Sequence, residues 1–336
     1  MAPQPEQRYE GMSPRAFEHP ADRAATAALR SVPLVERVVK VVLELGQERR
    51  LRQLFTGNSV QVSDQQLAEL WAVHAGAAST LDVAAVPDLF VSQTPMASGL
   101  TVGTNRPMVV LSSGLVTDYG AAEVQAVVGH EMGHVLCRHN YYQTALQLLA
   151  MLLSSGSQVG PVPLVPLRAV HLVLAEWARA AELSADRASA LVVGDPLVTC
   201  RMLMHLAGGS LPGMSLDAFL AQAARYEEEE DLLSRWSRAW AEAYASHPFA
   251  LRRAHELMAW VEGGSFDRLR SGDYVRRGQE PAVGDELQGA VAHYRDRFTR
   301  ALDITAGGLD KVLRQVEDWL RPPGPRPGGS GEGRPG

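Results

Sequence analysis

His130 and His134 stand four residues apart, and Glu131 directly follows the first. On a helix this spacing puts the two imidazoles one turn apart on a shared face. Two imidazoles so placed can bind one metal ion at about 2 Å each. Glu131 is offset around the helix and can take a proton from an attacking water. The chemistry this permits is metal-assisted hydrolysis, with one Zn2+ per chain as the expected cofactor. The competing explanation is a buried helix with ordinary core histidines. Residues 121–136 are apolar nearly all round. Burying two histidines and a glutamate there needs partners for all three, and a metal supplies them together.

Catalytic zinc takes three protein ligands and leaves a fourth position open. A third histidine in the spacing H-x-x-G-x-x-H is excluded, because Cys137 and Asn140 occupy those positions. His139 falls on a different face of a continuing helix and reads as a helix-end residue. The remaining route is a carboxylate from a second helix, with Glu176, Glu182 and Asp186 as candidates. Glu182 and Asp186 are one turn apart among small and apolar neighbours, from Ala180 to Ala190. One can bind the metal while the other receives the N–H of a ligating imidazole.

At this point the chain resembles a known family. His130-Glu131-Met132-Gly133-His134, followed about fifty residues later by Glu182-Leu183-Ser184-Ala185-Asp186, is similar to the gluzincin metallopeptidases. That family contains the heat-shock protease HtpX and the CAAX prenyl endopeptidase. Ser246-His247-Pro248, with Arg253 six residues after the histidine, resembles the family's downstream pattern. The likeness covers roughly residues 87–257.

The resemblance implies a zinc-dependent metalloendopeptidase. It implies His130, His134 and Glu182 as zinc ligands and Glu131 as general base. Asp186 would orient a ligand and Arg253 would help hold the site together. His247 would hydrogen-bond the tetrahedral intermediate, although a histidine before Pro248 also suits a plain helix start. Met96, Ala97 and Ser98 would lie on the edge strand that meets the substrate backbone. The family usually has Asn-Ala where this chain has Met96-Ala97, so a side-chain contact is lost while backbone pairing survives. Many members are integral membrane proteins. Here residues 142–174 take the place of an apolar hairpin, but the run is short and broken by Pro163, Pro166, Arg168 and His171.

These side chains need elements to position them. Helical periodicity predicts helices over residues 32–54, 63–75, 121–140, 142–154, 168–193, 196–207, 216–244, 248–262 and 286–320. Short β-prone runs at 89–91, 100–102 and 108–111 predict a small antiparallel sheet of about three strands. The expected class is α+β, mainly α-helical, with a zincin-like catalytic domain whose helices flank the zinc site. The expected organisation is a poorly ordered N-terminus (1–30), a helical segment (31–86), the metallopeptidase domain (87–262), a helical extension (263–320) and a disordered Pro/Gly-rich tail (321–336).

Bulk composition agrees with a globular protein. Of 336 residues, 46% are hydrophobic and 21% charged, and a net charge of −6 gives no reason to expect nucleic acid. The expected partner is a peptide or protein substrate. Two cysteines, Cys137 and Cys200, are too few for a disulfide framework. The N-terminus lacks a signal pattern, and no run reaches the length of a spanning helix. A cytoplasmic protein, in peripheral contact with a membrane at most, is the expectation. A zinc-containing scaffold without activity and a membrane-associated quality-control protease are the competing functions.

Overall fold

The computed structural model describes residues 7–44, 47–154, 164–228, 249–280 and 285–302. Four helices and a strand lead in: α1 (Pro20–Arg30), α2 (Pro33–Glu44), α3 (Gln47–Asn58), β1 (Ser59–Val62) and α4 (Ala68–Thr80). Strands β2 (Asp88–Ser92), β3 (Gly99–Val102) and β4 (Met108–Ser112) follow, then α5 (Ser113–Asp118) and α6 (Ala121–Leu136). Helices α7 (Asn140–Ser154), α8 (Leu164–Val193), α9 (Pro196–Gly208) and α10 (Leu216–Glu228) complete the middle of the chain. The last described helices are α11 (Ala250–Glu262), α12 (Ser265–Arg270) and α13 (Asp285–Leu302).

The α+β, mainly helical class holds, but the sheet differs from the expected one. It has four strands in the order β1-β2-β4-β3. β2 and β4 run parallel, while the β1–β2 and β3–β4 pairs are antiparallel. β1 reads Ser-Val-Gln-Val, half polar and short, so its pattern is too weak to mark a strand. The parallel pair arises because β3 crosses to the far side of β4 and returns through Gly103. Gly103 has φ +100°, and a Cβ there would lie 2.8 Å from the Arg106 carbonyl oxygen.

β4 is buried throughout and serves two cores. Val109 and Leu111 join one apolar cluster with α4, α6, α9 and α11. Met108 and Val110 join a second, with α1, α2, α7 and Phe298. This is the period-two alternation of a strand with both faces covered. Helix α8 also spans both clusters. Trp177, Ala178 and Ala181 belong to the second, and Ala188, Leu191 and Val192 to the first. Between them lies a buried polar stretch containing Glu182, Ser184 and Asp186.

The N-terminus requires a correction. Residues 20–30 are not poorly ordered but form α1, with Pro20 in its first turn and the His19 ring accepting from the Ala21 N–H at 3.1 Å. Ala24, Ala25, Ala28 and Leu29 are fully buried. Small alanines make this helix look unremarkable in sequence, and the second core supplies the stability that its composition does not advertise. The expected helix 32–54 divides into α2 and α3. Residues 229–248 of the expected helices 216–244 and 248–262, residues 303–320 of the expected helix 286–320, and the expected tail 321–336 lie outside the described residues.

Candidate metal centre

Two glycines bring the site together. Gly129 and Gly133 line the face of α6 that meets α8. A Cβ at Gly133 would lie 2.6 Å from Ala188 Cβ, and one at Gly129 would lie 2.8 Å from Val192 Cβ. The two helix backbones therefore approach more closely than side chains allow, and α8 delivers its carboxylates to the histidines of α6.

His130 Nε2 and His134 Nε2 lie 3.1 Å apart. Glu182 lies 3.4 Å from the first through Oε2 and 3.3 Å from the second through Oε1. All three residues are buried, and one donor atom from each could hold a single metal ion. Burial pulls His134 down to about 4 despite the adjacent Glu182, so it is a neutral donor near neutral pH. Burial also acts on His130, but Glu182 and Asp186 outweigh it and raise this residue to about 9.

Asp186 lies 3.1 Å from His130 Nδ1, on the far side of the ring from the triangle. Arg253, from α11, grips Asp186 through Nε at 2.8 Å and Nη2 at 2.6 Å, and reaches Glu182 through Nη1 at 3.0 Å. Burial would raise the Asp186 carboxyl, but the Arg253 guanidinium holds it below its usual range. Asp186 and Arg253 thus form a buried bidentate pair beside the triangle.

Glu131 is buried beside the triangle, and burial raises its carboxyl above the usual range. Thr101 Oγ1 donates to Glu131 Oε2 at 2.6 Å. A Cβ on Gly99 would lie 2.6 Å from Glu131 Oε1. The glutamate is therefore seated against β3, the last strand of the sheet.

The expected edge-strand residues are displaced from that strand. β3 begins at Gly99, and Met96 and Ala97 lie in its lead-in. There the Gly114 N–H donates to the Thr94 carbonyl and holds the loop over the start of α5. Only Ser98 extends the pairing with β4, donating to Ser112 Oγ at 2.8 Å and accepting from the Ser112 N–H at 2.9 Å. His247 lies outside the described residues. Cys137 and Cys200 are free, and burial raises both thiols, Cys200 to about 12.

Three polar residues at the site escaped the sequence reading. Thr101 lay in a predicted strand with no sign that its hydroxyl faces Glu131. His139 does lie just past the end of α6, as its sequence position suggests, but nothing local shows that its Nδ1 comes 2.9 Å from His134 Nδ1. Asp22, in the segment expected to be poorly ordered, is buried with Oδ2 2.9 Å from His139 Nε2.

Residues 64–261 match the family described as Peptidase family M48. The chain belongs to this family. The M48 match extends past both ends of the region that carried the sequence resemblance, and it contains every described residue of the triangle and of the Asp186–Arg253 pair. Over 260 residues, 75% of this chain and 74% of the relative, the M48 peptidase is 33% identical to Plastoglobule-localized metallopeptidase 48, chloroplastic, of Arabidopsis thaliana. No solved structure gives a significant match. The M48 peptidase is accordingly a metalloprotease, and its buried His-His-Glu group could hold a metal ion.

Proposed function

We propose that this M48 peptidase is a zinc-dependent endopeptidase that cuts an extended peptide laid along β3. The observation that carries the reading is the triangle of His130, His134 and Glu182 beside a buried Glu131. Zinc binds nitrogen and carboxylate donors at about 2.0–2.2 Å, and a tetrahedron of that radius has edges of about 3.3–3.6 Å. The two Nε2 atoms lie 3.1 Å apart, and the Glu182 carboxylate brings Oε1 to 3.3 Å from His134 and Oε2 to 3.4 Å from His130, so its oxygens lie close to both rings at about that spacing. His130, His134 and Glu182 would hold the ion, which would supply polarisation of a carbonyl and a more acidic water.

The chain's own residues do the rest. Glu131 takes the proton of the attacking water and passes it to the leaving amine. Gly99 and Thr101 limit where its carboxylate can point. Asp186 fixes the His130 ring so that Nε2 faces the triangle. His247 is assigned the hydrogen bond to the oxyanion of the scissile carbonyl. The outer edge of β3 pairs with no strand among the described residues, so its backbone is available to an extended chain. A scaffold without activity has no use for a buried base beside an open metal position.

Glu131→Gln tests the reading. The variant should keep one zinc per chain and lose cleavage of an unfolded protein by about a hundredfold or more. Undiminished cleavage would remove Glu131 from the role, and a wild-type chain without zinc would remove the metal.

A cytoplasmic protein in peripheral membrane contact is the proposed location. No described helix is long and apolar enough to cross a membrane, while Met151 and Leu172 expose apolar surface on α7 and α8. The Arabidopsis relative is named for plastoglobules. Retention of this chain in carbonate-washed membranes would contradict the peripheral assignment.

A further inference from the structure

We infer that Asp22, acting through His139, positions His134 as a metal ligand, which makes the N-terminal helix α1 part of the metal centre. The inference rests on the zinc reading above and adds residues to it.

The local backbone explains how His139 reaches His134. Helix α6 ends at Leu136, with Cys137 as its C-cap. The His139 N–H donates to the His134 carbonyl at 2.9 Å, and the Arg138 N–H to the Val135 carbonyl at 3.1 Å. These are the two backbone bonds of a Schellman cap, which turns the chain back on the last helical turn. Arg138 occupies its left-handed position, with φ +59°, where glycine is usual. A non-glycine residue there costs stability, so the surrounding contacts must enforce the turn. The residue that follows, His139, is thereby folded against His134, three residues before the cap. In most such caps this contact is apolar; here it is a pair of imidazoles.

Metal binding by His134 Nε2 selects one set of proton positions along this chain. His134 Nε2 faces His130 and Glu182 and must offer a lone pair to a metal. Its hydrogen is then on Nδ1, which lies 2.9 Å from His139 Nδ1. His139 Nδ1 must accept, so its own hydrogen is on Nε2, which lies 2.9 Å from Asp22 Oδ2. Gln143 adds to the arrangement. Its amide lies 3.1 Å from His134 Nδ1, and its Oε1 is buried without a partner. With the amide turned so that the oxygen faces the ring, the same N–H can donate to it, and the amide nitrogen takes the position that lacks a partner.

Asp22 is itself fixed. Ser184 Oγ donates to its Oδ2 at 2.6 Å, and Thr26 Oγ1 to its Oδ1 at 3.2 Å. Trp177 stands edge-on to the His139 ring, with centroids 5.6 Å apart, and its indole N–H donates to Thr26. Ser184 lies between Glu182 and Asp186 on α8. Both histidine ligands therefore end on a buried aspartate, His130 directly on Asp186 and His134 on Asp22 through one imidazole. An aspartate in this place holds the ring orientation and raises the basicity of the ligand, and removing such a partner weakens metal binding about 10–100-fold.

Zinc affinity of the full chain, measured by competition with a chromophoric chelator, tests the inference, with the visible spectrum of the Co2+-substituted protein as a readout of geometry. D22N and H139A should each weaken zinc binding about 10–100-fold and alter the Co2+ spectrum. The double variant should bind no more than about threefold worse than H139A alone, because both changes cut one chain. Ala24→Gly loosens α1 without touching these residues; it should lower the melting temperature and leave zinc affinity within about twofold. Effects of D22N and H139A that multiply, or an equal loss in A24G, would overturn the inference. If D22N does not fold, H139A decides: zinc affinity within about twofold of wild type refutes it. Absence of stoichiometric zinc from the wild-type chain would instead refute the zinc reading, and this inference with it.

Discussion

Thr101 on β3 donates its hydroxyl to Glu131 Oε2 at 2.6 Å, with both residues buried. The strand that borders the site thus also aims the glutamate. Thr101→Val keeps the shape and removes the donor. A hydrogen bond to a charged group is worth about 1.5–3 kcal/mol. Turnover should fall about ten- to a hundredfold, with zinc content unchanged. Steady-state kinetics beside metal analysis checks this; full activity in the valine variant would mean that Glu131 needs no such guide.

Gly133→Ala should destabilise the protein although alanine favours helix by about 1 kcal/mol. The added Cβ would meet Ala188 Cβ at 2.6 Å and Ala185 Cα at 3.1 Å. Parting α6 from α8 to relieve this costs about 1–3 kcal/mol and moves Glu182 away from the histidines. Chemical denaturation and zinc affinity should both weaken; a more stable variant would show that the helices do not meet as described.

Arg253→Met should be among the most damaging substitutions outside the metal ligands. It leaves Asp186 and Glu182 buried without their guanidinium. Breaking a buried pair from one side costs about 3–5 kcal/mol. Adding Asp186→Asn to Arg253→Met should restore part of the lost stability, since it removes the stranded charge. Unfolding midpoints of the two variants, compared with wild type, read this directly.

His74 should make the fold sensitive to acid. It is fully buried on α4, with Nε2 2.8 Å from the Pro87 carbonyl and Nδ1 without a partner. Burial lowers its pKa below the usual 6.5. The unfolded chain therefore takes up this proton first as the pH falls. The contribution is complete above pH 6.5 and is lost as the pH drops from 6.5 toward the depressed value. His74→Gln should flatten the stability–pH curve below 6.5 by up to one proton; an unchanged slope would contradict the assignment.

Much of the centre was readable in one dimension. The i, i+4 pairs His130–His134 and Glu182–Asp186 each lie within one helix, and helix geometry alone puts them on one face. Gly129 and Gly133 are costly within an apolar helix, and the close approach of α8 is the packing reason for them. The sheet was less legible. β1 is short and half polar, and no local pattern says that β2 will pair with β4 in parallel.

What the sequence determined by itself, then, was the set of groups that act within one turn of one another: two imidazoles, the base between them, and a carboxylate pair waiting for a partner. The tertiary structure decided which distant groups meet them. Asp22 reaches His139 across 117 residues, and Arg253 reaches Asp186 across 67. Such contacts depend on how helices pack and on a turn that no glycine announces at Arg138. The reason is physical: helix spacing is set by backbone hydrogen bonds between near neighbours, whereas the partners of a buried charge are set by where two apolar cores bring separate helices together.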